Sequence, residues 1–212
     1  MKVNEIFYSI QGESSFSGRP CVFIRLTACN LRCSYCDTEY AFQDGKELSV
    51  GEIMEVVTAL PSRLALITGG EPMLQPSVHE LFRALLDRGY TVCLETGGQI
   101  ALDRVDPQVH KIVDFKCPSS GMMKHNDLGN VAWIGQHDEV KFVVGDRADF
   151  EWACSLIREQ DLNSKAGTVL FSPVYGKLPY DLLAAWVLEC GLPVRMQLQI
   201  HRIIWPEIIR GV

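Results

Sequence analysis

Cys29, Cys33 and Cys36 place three thiols within eight residues, in the stretch CNLRCSYCDTEY that follows an apolar run. A closed tetrahedral zinc site takes four protein ligands, so three cysteines leave a position open. Three thiolates at this spacing can instead hold three irons of a [4Fe-4S] cluster, with the fourth iron free for a ligand that is not protein. The competing reading is a zinc knuckle, a structural module without catalysis, completed by one of His79, His110, His125, His137 or His201. Spacing alone keeps both open.

The elements that must position these thiols are legible in outline. Short runs rich in Val, Ile, Leu and Phe recur as CVFIRL, LALIT, YTVCLE, KIVDF, EVKFVV, TVLFS and VRMQLQ, mostly without clean polar alternation. Such runs suit strands of a parallel sheet buried on both faces. Between them lie segments of helical spacing: SVGEIMEVVTAL after a capping Ser49, SVHELFRALLDRG after Ser77, RADFEWACSLIREQ, and PYDLLAAWVLECG ending at Gly191. Strand, helix, strand order implies right-handed crossovers and an α/β layer or barrel. A full eightfold barrel typically takes about 250 residues. At 212 residues, an incomplete (βα) barrel of six or seven parallel strands is expected, as a single domain. In that architecture the loops after the strand ends form the active face. Those loops read TACNLRCSYCDT, TGGEP (Thr68 to Pro72), ETGG (Glu95 to Gly98) and DFKCPSSG (Asp114 to Gly121), so the unusual chemistry gathers at one end of the sheet.

A net charge of -6 and no run of Lys and Arg argue against nucleic acid, whose phosphates need a basic patch. The stretch MKVNEIFYSIQGESSF has no apolar core of signal-peptide length and no window approaches roughly 18 apolar residues, so no membrane association is expected and the compartment is read as cytoplasmic. There thiols stay reduced, and the eight cysteines are core, metal or chemistry. Cys21 and Cys93 in strand-like runs, and Cys154 and Cys190 in helix-like ones, are read as core; Cys117 is left without a role.

The combination of CxxxCxxC after the first apolar strand run, an aromatic residue (Tyr35) before the third cysteine, and GGEP after the second run resembles the radical S-adenosylmethionine (SAM) superfamily. That resemblance implies that SAM chelates the open iron and is cleaved to a 5'-deoxyadenosyl radical. It assigns Tyr35, Cys36, Asp37, Gly70, Glu71, Glu95, Asp114, Phe115 and Lys116 to SAM. Glycines in TGGEP let backbone approach the methionyl group, and Glu71 is expected to pair with its ammonium. Glu95 is suited to ribose hydroxyls and Lys116 to the SAM carboxylate or ribose; a plain turn and surface charges are the alternatives.

The N-terminal EIFYSIQGESSFSGRPCVFIRL, YCDTEYAF and the tail QLQIHRIIWPEIIRGV narrow this, across nearly the entire chain, to a resemblance to the 7-carboxy-7-deazaguanine synthase family of queuosine and 7-deazapurine biosynthesis. The resemblance implies ring contraction of 6-carboxy-5,6,7,8-tetrahydropterin with loss of ammonia, SAM used as a cofactor and regenerated, Mg²⁺ at Thr38, a flavodoxin- or ferredoxin-like electron donor and a homodimer. An activase that makes a glycyl radical on a partner protein is the rival within the superfamily. Substrate contacts are expected in the N-terminal extension 1–20, at Ile10, Gln11, Gly12 and Glu13, then at Arg25 and Thr68. They continue in the closing tail 197–212, at Gln199, His201 and the terminal Val212. Arg25 projects from the face of CVFIRL that it shares with Cys21 and Phe23, and burying its charge there is costly without an anion. A substrate carboxylate or an internal pair with Glu13 would serve. QIHR is read as extended, with Gln199 and His201 on one side. Arg202, where relatives often carry Lys, is assigned no role.

Overall fold

In the computed structural model, which describes residues 1–212, the apolar runs become strands laid side by side. They are β1 (Lys2–Ile10), β2 (Pro20–Leu26), β3 (Lys46–Glu47), β4 (Leu64–Gly69), β5 (Thr91–Thr96), β6 (His110–Asp114), β7 (Glu139–Val144), β8 (Thr168–Pro173) and β9 (Arg195–Met196). The helices are α1 (Val50–Thr58), α2 (Val78–Leu86), α3 (Arg147–Glu159), α4 (Leu162–Lys165), α5 (Tyr180–Cys190) and α6 (Ile200–Ile204). The sheet runs β3-β1-β2-β4-β5-β6-β7-β8-β9, and β2 with β4 to β9 form seven parallel strands. The end strands β3 and β9 do not pair with each other, so the barrel stays open.

The strands lack simple polar alternation because both faces are covered. On the outer face Val22, Ile24, Leu26, Ile67, Leu94, Val140 and Phe171 join the residues of α1, α2 and α3 in the main core. On the inner face Cys21, Phe23, Leu64, Leu66, Cys93 and Ile112 form a small apolar plug, against which Phe7 and Phe16 pack. One side-chain repeat further along, the inner positions turn polar: Phe23 is followed by Arg25, Leu66 by Thr68, Cys93 by Glu95 and Ile112 by Asp114. A strand thus delivers an apolar floor and a polar site with the same period of two.

Three expectations change. The segment before CVFIRL is itself a strand, β1, antiparallel to β2. Its pattern is hard to read because the register shifts between Val3 and Glu5; such a bulge flips the face presented by the rest of the strand. The flip sets Glu5 opposite Arg25 and stacks Phe7 on Phe23 at 4.7 Å. VRMQLQ contributes only a two-residue strand, β9. Ser77 precedes α2 but makes no side-chain cap, whereas Ser49 and Glu52 form a full capping box on α1. Ser49→Ala is expected to cost about 1 kcal/mol, read as a lower urea midpoint at unchanged slope.

Cys21 and Cys93 lie in the inner plug, and Cys117 and Cys154 in the outer core, with half-buried Cys190 packed against it. Burial pushes the Cys21 thiol up to about 12, so it behaves as a hydrophobe. No helix is long and apolar enough to cross a membrane.

Candidate active site

At the C-terminal ends of the parallel strands lies a cavity of about 470 Å³, lined by the cluster loop, the strand ends, the segment after β1 and the tail. Its size is that of a small-molecule site. The three thiols occupy one wall: Cys29, Cys33 and Cys36 are all half-buried and all line the cavity. Their loop is pinned from both sides. Ser34 N donates to Ser120 O at 3.0 Å, Ser34 Oγ donates to Ser119 O at 2.7 Å, and Tyr35 Oη donates to Val143 O at 3.2 Å. Burial pushes all three thiols up, and the charge of Lys116 pulls Cys29 and Cys33 back down.

This donor set fits a cluster with one open iron. His79, His110, His125 and His137 lie away from the cavity, and His201, the one histidine on its wall, packs against Gly12 on the substrate side. The wall beside the thiols is bare backbone: a Cβ on Gly70 would stand 2.9 Å from Cys29 Cβ and overlap Ala28 O. Only glycine allows that approach.

Glu71 is 1% exposed. It accepts from Met73 N at 3.0 Å, Gly97 N at 2.9 Å and Thr96 Oγ1 at 2.9 Å. Both oxygens are therefore engaged within the chain, tying the loop after β4 to the end of β5, while the carboxylate still lines the cavity with acceptor capacity to spare. Burial still pushes its carboxyl up against these donors.

A charge network that the sequence reading missed fills the centre. Lys141 on β7, 4% exposed, donates to Glu13 Oε2 at 2.9 Å and to Glu95 Oε1, and stands 3.7 Å from Asp114 Oδ2. Burial pulls its pKa down, but Glu13, Glu95 and Asp114 hold it well above the ordinary lysine value. Glu95 also accepts from Thr68 Oγ1 at 3.1 Å; burial opposes its charge, and Lys141 prevails, holding the carboxyl below its usual value. Lys116 donates to Asp114 Oδ2 at 2.8 Å, while Asp114 Oδ1 is buried without a partner. The signal for Lys141 was available, since EVKFVV carries one cation on an apolar strand just as CVFIRL does.

Arg25 does not pair with Glu13. Its Nε donates to Glu5 Oε1 at 2.7 Å, and Tyr40 Oη donates to the same oxygen at 2.9 Å. The guanidinium lies 5.8 Å from the Phe7 ring centre and 5.7 Å from that of Tyr40. Neither Nη makes a hydrogen bond within the chain, and Arg25 lines the cavity.

Ile10, Gln11, Gly12 and Glu13 lie on this second wall, and the tail closes over them. QIHR is not extended: Gln199 precedes α6, and His201 lies within it. Both still reach the cavity, as does Val212. Gln199 Nε2 donates to Glu13 Oε1 at 2.7 Å and Asp37 Oδ2 at 3.2 Å, and Gln197 Nε2 donates to Glu13 Oε2 at 3.3 Å. Arg202 Nη2 is 3.7 Å from Asp37 Oδ2, which gives this residue an electrostatic partner. Partial loss of water opposes the charge of Asp37, whose side chain is still 44% exposed, but bonds from Thr38 and Gln199 and the Arg202 charge keep its carboxyl below the usual range. Ile203, Ile204, Ile208 and Ile209 of the tail are exposed. Phe115 is a second correction: it is fully buried in the outer core, 6.3 Å from Phe142 between ring centres, and does not line the cavity.

Ile200 N donates to Gly12 O at 3.1 Å, and a Cβ on Gly12 would run into the His201 ring. Gly12→Ala is therefore expected to push α6 off the cavity. A displacement of about 1 Å can cost roughly 10²-fold in rate. Turnover should fall on that order with iron content unchanged, checked by activity and iron assays on one sample.

The model of the Radical SAM superfamily matches residues 23–114, from β2 to the end of β6. A 7-carboxy-7-deazaguanine synthase of Chlorobaculum tepidum is 48% identical over 215 aligned residues, which take in 100% of this chain and 97% of that protein. One from Koribacter versatilis is 44% identical, with 100% of each chain covered. The chain belongs to the 7-carboxy-7-deazaguanine synthase family. Among solved structures, QueE from Escherichia coli superposes with a TM-score of 0.75 at 23% identity, covering 93% of both chains, so the likeness there is one of fold. Streptococcus suis SuiB bound to S-adenosylmethionine superposes with a TM-score of 0.58 over 83% of this chain and 51% of its own. The 7-carboxy-7-deazaguanine synthase family is a radical SAM family, and its chemistry takes a [4Fe-4S] cluster and SAM; the three-thiol wall fits them. For Mg²⁺ the chain offers hard oxygens at the cavity edge: Thr38 Oγ1 donates to Asp37 Oδ1 at 2.8 Å, and both residues line the cavity.

Proposed function

We propose that this chain converts 6-carboxy-5,6,7,8-tetrahydropterin to 7-carboxy-7-deazaguanine. The observation that carries the reading is an arginine fixed at Nε by Glu5, with its Nη edge free, in the same cavity as three thiols. When bound, the reduced cluster and SAM supply a 5'-deoxyadenosyl radical, which takes a hydrogen from carbon 6 of the substrate. Cys29, Cys33 and Cys36 hold three irons. The Gly69–Gly70 backbone and Tyr35, Cys36 and Asp37 would hold the methionyl part of SAM, while Glu95, Asp114 and Lys116 would serve its ribose and carboxylate; all line the cavity. SAM is regenerated.

The Nη groups of Arg25, free of bonds within the chain, take the substrate carboxylate in a two-pronged contact. Ile10, Gln11, Gly12, Glu13 and Thr68 read the pterin ring edge, and Gln199, His201 and Val212 close the site against water. Thr38 would present its oxygen to Mg²⁺, whose charge would suit substrate oxygens, and the ring contraction releases ammonia. A glycyl-radical activase needs an open mouth for a protein substrate; here the tail lies over the cavity.

The chain is read as one radical SAM domain with a substrate-binding extension at 1–20, cluster loop at 29–38 and closing tail at 197–212. It acts in the cytoplasm as a homodimer, with a flavodoxin- or ferredoxin-like protein as electron donor. The test is anaerobic reconstitution with iron and sulfide, then reductant, SAM, Mg²⁺ and the carboxylated tetrahydropterin, with mass spectrometry of the product. Formation of the deazaguanine acid is expected. SAM cleavage without it would overturn the substrate assignment and leave the radical chemistry standing; zinc in place of iron and labile sulfide would overturn both.

A further inference from the structure

Lys141 has no part in the contacts assigned above, yet it is a buried cation on the cavity wall. It is buried, and its ammonium meets three carboxylates that belong to different parts of the cavity. Glu13 comes from the segment after β1, on the pterin wall. Glu95 comes from β5, on the SAM wall. Asp114 comes from β6 and shares its Oδ2 with Lys116. The other cation on the pterin wall, Arg25, is engaged by Glu5. No second ammonium or guanidinium contacts Glu13 or Glu95; their remaining donors are the Gln197 and Gln199 amides and the Thr68 hydroxyl.

An ammonium has three N–H donors on a flexible stem. When two carboxylates share it, fixing either one fixes the ammonium, and the ordering cost of the other falls. We propose that Lys141 is a positioning residue that holds Glu13 and Glu95 together, so that binding of SAM and binding of the pterin reinforce each other. The proposal rests on the functional reading above for the ligand that each carboxylate faces. Reinforcement of this kind is reciprocal: SAM raises pterin affinity by the factor by which the pterin raises SAM affinity.

The test is calorimetric binding to cluster-loaded protein without reductant, so no turnover is read. SAM is titrated with and without the carboxylated tetrahydropterin, and the pterin with and without SAM. In the wild type each ligand should tighten the other by roughly 5- to 150-fold, the usual span of such coupling. Lys141→Met leaves the half-buried Glu13 and Glu95 carboxylates without their cation, and both affinities should fall roughly tenfold or more. Lys141→Arg keeps the charge but not the compact ammonium, so it should recover part of each affinity while the coupling drops below about twofold. Should Lys141→Met fail to fold, Lys141→Arg and the wild type still decide the matter. Absence of coupling in the wild type, or variants that keep the wild-type coupling, would overturn the proposal. A wild type that binds SAM but no pterin would overturn the functional reading instead.

Discussion

Replacing Cys33 with serine is expected to abolish both the cluster and turnover. Iron of a [4Fe-4S] cluster is held by thiolate, and an alkoxide is far harder to generate and a poorer match to iron. No other thiol can step in, because Cys21, Cys93 and Cys117 are buried in the cores, and Cys154 and Cys190 sit on α3 and α5. The loop is also held in place from outside the thiols, through Ser34 and Tyr35. The Cys33→Ser protein should therefore fold, take up little iron and sulfide after anaerobic reconstitution, lose the broad visible absorption of the cluster, and cleave no SAM. Cys190→Ser, by contrast, should reconstitute fully. A Cys33→Ser protein with full iron and wild-type turnover would sink the three-thiol assignment.

The second large effect is expected at Arg25. Arg25→Ala should lower kcat/KM for the carboxylated pterin by roughly 10²- to 10³-fold, since loss of one partner in a buried charge pair costs about 2–5 kcal/mol. Reductive cleavage of SAM should continue, because Arg25 contacts Glu5, Phe7 and Tyr40 and none of the three thiols. Arg25→Lys should recover little, as lysine offers a point charge in place of a planar fork. Glu5→Gln keeps an acceptor for Nε but loses the charge, so an intermediate loss is expected, appearing mainly in KM. The measurement is steady-state kinetics alongside the melting temperature of each variant. Unaltered kinetics in Arg25→Ala would show that the substrate carboxylate binds elsewhere.

Much of the site was legible because local pattern sets it. The thiol spacing, the glycines after β4 and the lone arginine of CVFIRL are read within a few residues, and each lines the cavity. The partners were not legible. Arg25 was offered Glu13 and takes Glu5, because a bulge in β1 turns Glu5 to face it. Glu71, read only as a ligand contact, also accepts from Thr96 and Gly97 at the next strand end, a role no local stretch announces. Phe115 neighbours two cavity residues in sequence, but alternation sends its side chain to the outer core. Gln199 and His201 reach one site through a helical turn, where an extended strand had been read.

The sequence by itself determined the chemistry available: three thiols for four irons, backbone bare enough for close approach, a cation due on an inner strand face and an open (βα) barrel. These come from spacing and periodicity, which act over neighbouring residues. Tertiary structure decided how charges pair, since Lys141 meets Glu13 and Glu95 across sequence separations of 128 and 46 residues. Ion-pair choice in a buried site depends on strand register and on which groups lose water together. Neither is written in any local stretch, so CNLRCSYCDTEY announced the thiol wall while the lysine at the centre of the site became visible only in the folded chain.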